Sequence, residues 1–275
     1  MRLLFDAGDG LVSSLLGTAG RINHVFISHA DRDHLTGLLQ FNQLNAKPGH
    51  PNIYYPKDAH SISAFEQFSK LFDRKVAGSV WKGVSHNQVL AIRDDLQVTA
   101  RRNGHVRAPA DLVKSLGYLV QTKRRKLKPE YFGLTGDDIR NVRNKIGEEA
   151  ITELVTENIL GYSGDTPAEN FDQWNGCRVL IHETTFIYKH ELADEAGRYN
   201  LHSTLDEVIA LASQLTLGAL ILGHFSSRYK PHEIDEAIKR FCIENKTGFP
   251  VYRLLPGVYY QDILATGSEA MIWAP

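Results

Sequence analysis

The sequence predicts an α/β protein, and two observations support this fold class. Short apolar segments typical of β-strands alternate along the chain with amphipathic segments typical of helices. Polar residues recur directly after the strand-like segments, which is where open α/β sheets place their ligands. The 275 residues contain no internal repeat, low-complexity tract or linker. We therefore expect one domain that covers residues 1–275.

The N-terminal part is predicted to contain two helices among six strands. Leu3–Asp6 is a short apolar run that ends before a turn containing Gly8 and Gly10. Ser61–Phe72 has aromatic and aliphatic residues at the spacing of one helix face. The other elements predicted here are a helix at Leu35–Asn42 and strands at Val25–Ser28, Asn52–Tyr55, Val89–Ile92, Leu96–Ala100 and Leu116–Gln121.

The C-terminal part is predicted to continue this alternation. Ser203 is a suitable N-cap for a helix over Thr204–Leu215, because its hydroxyl can accept a backbone N–H. Val251–Leu255 and Val258–Gln261 are predicted to pair as two late strands. The other predicted elements are helices at Glu148–Glu157 and His232–Cys242 and strands at Ile159–Tyr162, Arg178–Ile181 and Leu217–Leu222.

Composition excludes several functional classes. Hydrophobic residues make up 43% of the chain, but no apolar run reaches the roughly 18–20 residues that cross a bilayer. The segment Met1–Asp6 becomes acidic too soon for a secretory signal. Cys177 and Cys242 form no zinc-binding pair and are expected to be core thiols. These features favour a cytoplasmic protein without a membrane partner.

Charge leaves nucleic-acid binding to a local surface. The formal net charge is −1, so the whole molecule has no field that attracts polyanions. The best local candidate is the basic run Lys123–Lys128, which is either an RNA-binding patch or a solvated loop.

The segment Val25–His34 carries the strongest chemical signal. A strand-like run ends in His29, Asp31, Asp33 and His34, so four side chains able to bind metal lie within six residues. Buried imidazoles and carboxylates need a partner, and a divalent cation is a suitable one. The alternative is a polar loop in which the carboxylates pair with Arg32 and cap the next helix.

The same residue types return downstream, after further apolar segments. A single histidine after a strand is usually structural, whereas several that follow an HxDxDH cluster indicate a metal site. The recurring residues are His105, Asp165, His182, Glu183, His202 and His224.

These motifs resemble the metallo-β-lactamase superfamily, and within it the ribonuclease Z branch. The cluster that starts at His29 is similar to the HxHxDH motif of the family, with Asp31 in place of the second histidine. Four further segments match the branch in order: SGDT at 163–166, HETTF at 182–186, HST at 202–204 and HFSSRY at 224–229. The resemblance implies an αββα sandwich, and the N-terminal hairpin of the family is expected to be missing before Leu3.

The resemblance also implies a dinuclear metal centre. His29, Asp31 and His105 would hold one ion, and Asp33, His34 and His224 would hold the other. Asp165 would bridge the two ions. Zinc is the expected metal, although the harder oxygen ligand of Asp31 makes manganese or iron an alternative.

The implied activity is metal-dependent hydrolysis of an RNA phosphodiester by a hydroxide activated between the two metals. Asp33 would orient the hydroxide or accept its proton, and His202, held by Glu183, would protonate the leaving oxygen. Glu183 could instead be a buried carboxylate paired with a histidine. The implied partners are RNA, including precursor tRNA, or a small phosphodiester. A homodimer is also implied, because members of this branch are commonly dimers.

Two other functions stay open at this point. One is hydrolysis of a small ester, lactone or cyclic nucleotide by the same fold, and the other is RNA binding by a non-catalytic relative. The sequence also shows no Gly/Pro-rich insertion similar to the long arm with which the family grips tRNA.

Overall fold

The computed structural model describes residues 2–195 and 201–275 and places two β-sheets in one sandwich. The first sheet has four parallel strands in the order β1-β2-β3-β4. Its strands are β1 (Arg2–Phe5), β2 (Ile22–Phe26), β3 (Asn52–Pro56) and β4 (Val80–Val84).

The second sheet has eight strands in the order β12-β11-β10-β9-β8-β7-β6-β5. The strands from β8 to β11 are parallel to one another, and the remaining neighbours are antiparallel. Its strands are β5 (Val89–Arg93), β6 (Leu96–Arg102), β7 (Leu116–Leu127), β8 (Thr152–Tyr162), β9 (Val179–Glu183), β10 (Leu220–Gly223), β11 (Val251–Arg253) and β12 (Met271–Trp273).

Helices lie on the outer faces of both sheets and in the connection between β7 and β8. Those described are α1 (Leu11–Leu15), α2 (Arg32–Leu35), α3 (Leu38–Asn45), α4 (His60–Phe72), α5 (Gly136–Ile146), α6 (Glu148–Ile151), α7 (Leu205–Ala212) and α8 (Pro231–Glu244). Buried residues of α3 and α4 pack with β2 and β3, and buried residues of α7 and α8 pack with β9 to β11. The expected αββα architecture is confirmed.

Apolar residues from both sheets form the middle of the sandwich. Phe26 and Tyr54 of the first sheet pack in one cluster with Val98 and Tyr118 of the second. The rings of Phe26 and Tyr118 meet edge to face at 5.2 Å. Because these strands are buried, their sequences read as apolar runs, which explains why most of them could be predicted.

The strands β7 and β8 extend beyond the rest of the sheet as a two-stranded ribbon. The pairing of β6 with β7 ends at Thr122, whereas the pairing of β7 with β8 continues to Leu127 and Thr152. Residues 128–151, which include α5 and α6, close the end of this ribbon. Helix α5 has no buried residue.

Two predictions made for this region and the C-terminus were wrong. The predicted helix at Glu148–Glu157 is helical only in α6, because β-branched residues from Thr152 onward pair with β7. Val258–Gln261 is not a strand, since a turn containing Gly257 (φ 75°) diverts the chain and β12 pairs with β11 instead. The basic run is also no loop, because most of it belongs to β7.

Candidate metal centre

Except for His182, whose ring stacks on Phe171 instead, the polar residues predicted from the sequence meet at one edge of the sandwich. His29 and Asp31 follow β2, and His34 lies in α2. The carboxyl ends of parallel strands point to the same edge of a sheet, so residues that follow β8, β9 and β10 converge there as well. The residues brought to this edge from the second sheet are His105, Asp165, Glu183, His202 and His224.

A first group of side chains surrounds the buried ring of His29. Asp31 Oδ2 lies 3.6 Å from both His29 Nε2 and His105 Nε2. Asp165 Oδ2 lies 3.7 Å from His29 Nε2. His29, Asp31 and His105 are within mutual reach of one metal ion.

A second group lies beside the first and shares the same carboxylate oxygen. Asp165 Oδ2 is 3.3 Å from His34 Nε2 and 3.2 Å from His224 Nε2. Asp33 Oδ2 is 3.4 Å from His34 Nε2 and 3.7 Å from His224 Nε2. Asp165 therefore stands between the two groups, where a bridging ligand would stand.

The spacing in the first group fits ligands of one cation better than hydrogen bonds. Metal–ligand bonds of about 2.0–2.2 Å in a tetrahedron put neighbouring ligand atoms roughly 3.3–3.6 Å apart. Among the described residues, His29 Nε2 and His105 Nε2 are buried without a hydrogen-bond partner. Since an unpaired buried polar atom is costly, these two nitrogens fit a divalent ion as the missing partner.

In all four histidines of the two groups, the Nδ1 atom lies at hydrogen-bond distance from an oxygen acceptor. His105 Nδ1 is 2.8 Å from the carbonyl oxygen of Leu201, and His34 Nδ1 is 2.7 Å from Asp6 Oδ2. Hydroxyl oxygens of Ser28 and Thr185 lie 2.8 Å from Nδ1 of His29 and of His224. A proton on Nδ1 leaves the Nε2 lone pair free, which is the tautomer that a metal-binding imidazole needs.

Asp6 organises the ligands from the first sheet, although sequence reasoning did not select it. Its Oδ2 accepts hydrogen bonds from Ser28 Oγ (2.7 Å), His34 Nδ1 (2.7 Å) and the hydroxyl of Tyr162 (2.6 Å). Its Oδ1 accepts the backbone N–H of Ser28 at 2.7 Å. Because Ser28 also holds His29, Asp6 supports one histidine of each group.

Two of these residues adopt a backbone conformation that L-residues avoid. Asp6 has φ 55° and His224 has φ 60°, both in the left-handed region. Such conformations cost about 1–3 kcal/mol and persist where the surroundings fix them, often at functional sites. The positive φ of Asp6 was a structural signal that the sequence could not display.

Without a metal ion, protons on histidine rings balance the negative charge of the carboxylates in the site, and a metal ion would displace these protons. Burial lowers the pKa of His29 to about 4, so this ring is neutral at pH 7. Burial disfavours a charge on His224, but Asp33 and Asp165 together raise the pKa of His224 to about 8. Although burial opposes it, His34 and His224 hold the pKa of the Asp165 carboxyl well below its usual range. Metal binding requires deprotonated ligands, so it would release these protons.

Glu183 and His202 form a hydrogen-bonded pair that adjoins both groups, with His202 Nδ1 4.0 Å from Asp165 Oδ2. Glu183 Oε1 accepts from His202 Nδ1 at 3.0 Å and from the backbone N–H of Thr166 at 2.9 Å. Its Oε2 accepts the backbone N–H (2.9 Å) and the hydroxyl (2.8 Å) of Thr185. Glu183 is buried, and these bonds fix its carboxylate so that it orients the ring of His202.

Comparison with known proteins assigns the chain to a family. Residues 1–147, more than half of the chain, match the family model described as a beta-lactamase superfamily domain. The chain belongs to the beta-lactamase superfamily. It is also 31% identical over 225 residues to tRNase Z TRZ1 of Arabidopsis thaliana. The matched region covers 78% of this chain and 76% of that protein. The predicted resemblance to the ribonuclease Z branch is confirmed.

A further relative and two solved structures agree with this assignment. Ribonuclease Z of Methanocaldococcus jannaschii is 28% identical over 259 residues, or 84% of this chain and 78% of that protein. Human tRNase Z, short form, has a TM-score of 0.53 at 22% identity and covers 82% of each chain. The metallo-beta-lactamase fold protein YhfI of Bacillus subtilis has a TM-score of 0.58 at 16% identity. The superposition covers 94% of this chain and 87% of YhfI. The two structures show the shared fold.

Family membership makes the chain a metal-dependent hydrolase, as the sequence predicted. The donor set described above fits the divalent metal that the fold implies. In residues 2–195 and 201–275, no helix is both long and apolar enough to cross a bilayer. Cys177 and Cys242 are free and buried, as predicted for core thiols.

Proposed function

We propose that residues 1–275 form one hydrolase domain that cleaves RNA phosphodiester bonds with two divalent ions. His29, Asp31 and His105 would hold the first ion, His34, Asp33 and His224 would hold the second, and Asp165 would contribute to both. Zinc is the expected metal, and Asp31 makes manganese or iron an alternative at the first position. The substrate class is RNA with a 3′ trailer, such as a precursor tRNA, because the relatives are named as tRNase Z and ribonuclease Z.

The observation that carries this proposal is the Glu183–His202 pair next to the ligand cluster. A ribose hydroxyl is a poor leaving group and needs a proton donor, whereas activated esters do not. Glu183 engages Nδ1 of His202, so Nε2 is the nitrogen left to deliver a proton. The ring of His202 borders an open cleft that also exposes Asp33 and His224, so substrate can reach it.

The ions, when bound, lower the pKa of a coordinated water and stabilise the phosphoryl oxygens. Asp33 has 68% of its side chain exposed and points to the same cleft, so it can accept the proton of the attacking water. As the bond from phosphorus to the 3′ oxygen breaks, His202 donates its Nε2 proton to that oxygen. Glu183 stabilises the positive charge that His202 carries before this transfer.

A cationic surface on the ribbon suits the RNA backbone. Glu157 is the shared partner of Arg124, Lys126 and Arg178, with contacts of 2.7 Å to Lys126 and Arg178. Lys126 and Arg124 lower the pKa of Glu157 to about 2. Because one carboxylate faces three cations, the group is net positive, and we assign the RNA-binding role of the basic run to it.

A homodimer belongs to the same proposal. Helix α4 exposes Phe68, Leu71 and Phe72, with 53%, 86% and 75% of each residue accessible. The rings of Phe68 and Phe72 stack at 5.6 Å, so the exposed face is continuous. Sedimentation of the wild type and of Phe72→Glu tests this state, and an unchanged monomeric mass in both would contradict it.

The test of the proposed function compares substrates under defined metal conditions. Chelator-stripped protein is assayed on precursor tRNA with a 3′ trailer, a lactone, a cyclic nucleotide and bis-p-nitrophenyl phosphate, before and after zinc or manganese is added. We expect restored cleavage at the trailer junction, with Asp165→Asn inactive and Asp9→Asn, an exposed neighbour of the site, unaffected. Turnover of the lactone or cyclic nucleotide alone would support the small-substrate alternative. RNA binding without hydrolysis would support a non-catalytic relative.

A further inference from the structure

A cleft of about 680 Å³ opens from the metal centre on the side of His202. Asp33, His202 and His224 line this cleft, together with Ser226, Ser227 and Arg228. A cleft of this size admits a ligand as large as a nucleotide. The ligand cluster and the Glu183–His202 pair account for only three of the residues that line the cleft, namely Asp33, His202 and His224, so the other lining residues need a separate explanation.

One wall of the cleft is apolar and comes from the segment after β11. Leu254, Leu255 and Pro256 line it, and Leu254 is fixed by a hydrogen bond of 2.7 Å from its N–H to the carbonyl of Leu222. Leu222 belongs to β10, and His224 is the first residue after this strand. The hydrogen bond therefore holds the wall at a set distance from the metal centre. Partly exposed aliphatic side chains next to a catalytic site suit the face of a nucleobase.

Arg228 lines the cleft as a positioned cation. Its guanidinium lies 5.0 Å from the ring centre of Phe186, and its Nε donates to Ser226 Oγ at 3.2 Å. The ring of Phe186 meets that of His202 at 6.4 Å, so one aromatic ring separates the cation from the proton donor. Arg228 and His202 therefore contact the same ring, so they lie close enough for one nucleotide to reach both.

The charge of Arg228 is only partly compensated. Among the described residues, its nearest carboxylate oxygen is Glu191 Oε1, which lies 3.9 Å away and beyond hydrogen-bond distance. That oxygen already accepts the hydroxyl of Tyr229 at 2.6 Å, and Glu191 Oε2 accepts two backbone N–H groups. With half of its side chain exposed, Arg228 retains N–H donors in the fork geometry that matches a phosphate.

We propose that this cleft binds the nucleotide on the 5′ side of the cleaved bond, with its base against Leu254 and Leu255 and its own 5′ phosphate on Arg228. The assignment to the 5′ side rests on the proposed function, in which His202 protonates the 3′ oxygen of that nucleotide. Arg228 thereby acts as a specificity residue that reads a phosphate one position upstream of the reacting one.

The test uses dinucleotides that differ only in a terminal phosphate. Hydrolysis of pNpN, NpN and NpNp by the metal-loaded protein is compared, where the leading or trailing p marks a 5′ or 3′ phosphate. We expect kcat/KM for pNpN to exceed that for NpN by roughly tenfold, the scale of a charge-assisted hydrogen bond at a half-exposed site. Arg228→Ala should abolish this preference, and Arg228→Lys should keep part of it.

Arg93→Ala is the matched control, since its guanidinium is also half exposed and lies on β5, outside the cleft. It should leave the preference intact. Equal kcat/KM for pNpN and NpN in the wild type would overturn the proposal. A preference for NpNp would also overturn it, because the phosphate on Arg228 would then belong to the 3′ side.

Removal of one base at a time tests the apolar wall. Loss of the upstream base should lower kcat/KM more than loss of the downstream base, and the opposite order would contradict the assignment. Binding of the same labelled dinucleotides is measured in parallel. Phosphate-dependent binding without hydrolysis would contradict the proposed function alone, whereas hydrolysis without phosphate dependence would contradict this inference alone.

Discussion

Replacement of Asp6 by Asn tests how the metal ligands are held. The carboxylate is buried, and its Oδ2 accepts three hydrogen bonds that include one from His34. An amide nitrogen in place of Oδ2 is itself a donor, so it could not accept the hydrogen bonds from Ser28 Oγ, His34 Nδ1 and the Tyr162 hydroxyl. If the amide flips, its nitrogen faces the backbone N–H of Ser28 instead.

The expected cost follows from these contacts. Each buried donor left without an acceptor costs about 1–3 kcal/mol, and part of the loss is relieved by rotation of the Ser28 and Tyr162 hydroxyls. We therefore expect Asp6→Asn to lower the free energy of unfolding of the metal-free protein by roughly 2–5 kcal/mol. Loss of a group that orients a metal-binding histidine typically costs about 10–100-fold in metal affinity. Zinc affinity should fall by this factor.

Two measurements check this expectation. Urea denaturation of the chelator-stripped protein gives the free energy of unfolding, and competition with a chromophoric chelator gives the zinc affinity. Asp9→Asn is the control, because Asp9 lies in the same turn but is exposed and bonds only to the adjacent N–H of Gly10 among the contacts described. Wild-type stability and zinc affinity in Asp6→Asn would refute the reasoning.

Three further predictions follow from the same geometry. Asp31→His should raise the zinc occupancy relative to manganese in metal analysis, since imidazole is the better zinc ligand; unchanged preference would argue against Asp31 as a ligand. His202→Ala should cut RNA cleavage by roughly 10²–10⁴-fold, cost far less on bis-p-nitrophenyl phosphate and leave the metal content intact. Equal losses on both substrates, or loss of metal, would make His202 structural or a ligand. Replacement of Arg124, Lys126 and Arg178 by Gln should reduce the salt dependence of RNA affinity. The slope of log K plotted against log salt concentration should become shallower by roughly 1–2 units. An equal slope in wild type and variant would remove this surface from the RNA-binding proposal.

The sequence was most informative where the chemistry is local. His29 to His34 are adjacent in the chain, and the strand before them is buried, so both the motif and its position at a strand end could be predicted. Most of the downstream residues were recognised because they lie at or just after the end of a strand, and parallel strands bring their carboxyl ends together. His202 is the exception, since it lies just ahead of α7.

The residues that support the ligands could not be found in this way. Asp6, Ser28 and Thr185 act through contacts between distant segments, and Asp6 meets the hydroxyl of Tyr162 from the other sheet. Glu148–Glu157 was predicted as a helix because local helix propensity was weighed without the partner strand β7. The pairing of β11 with β12 depends on a chain reversal that periodicity does not reveal.

The central claim is that two ions share the site through Asp165, and anomalous diffraction from crystals of the metal-loaded protein measures this directly. The account predicts two peaks roughly 3.5–4 Å apart, as in other two-metal sites. One peak should lie at bonding distance from Nε2 of His29 and His105, and the other from Nε2 of His34 and His224, with Asp165 bonded to both. A single peak, or a second peak that Asp165 does not touch, would contradict the account.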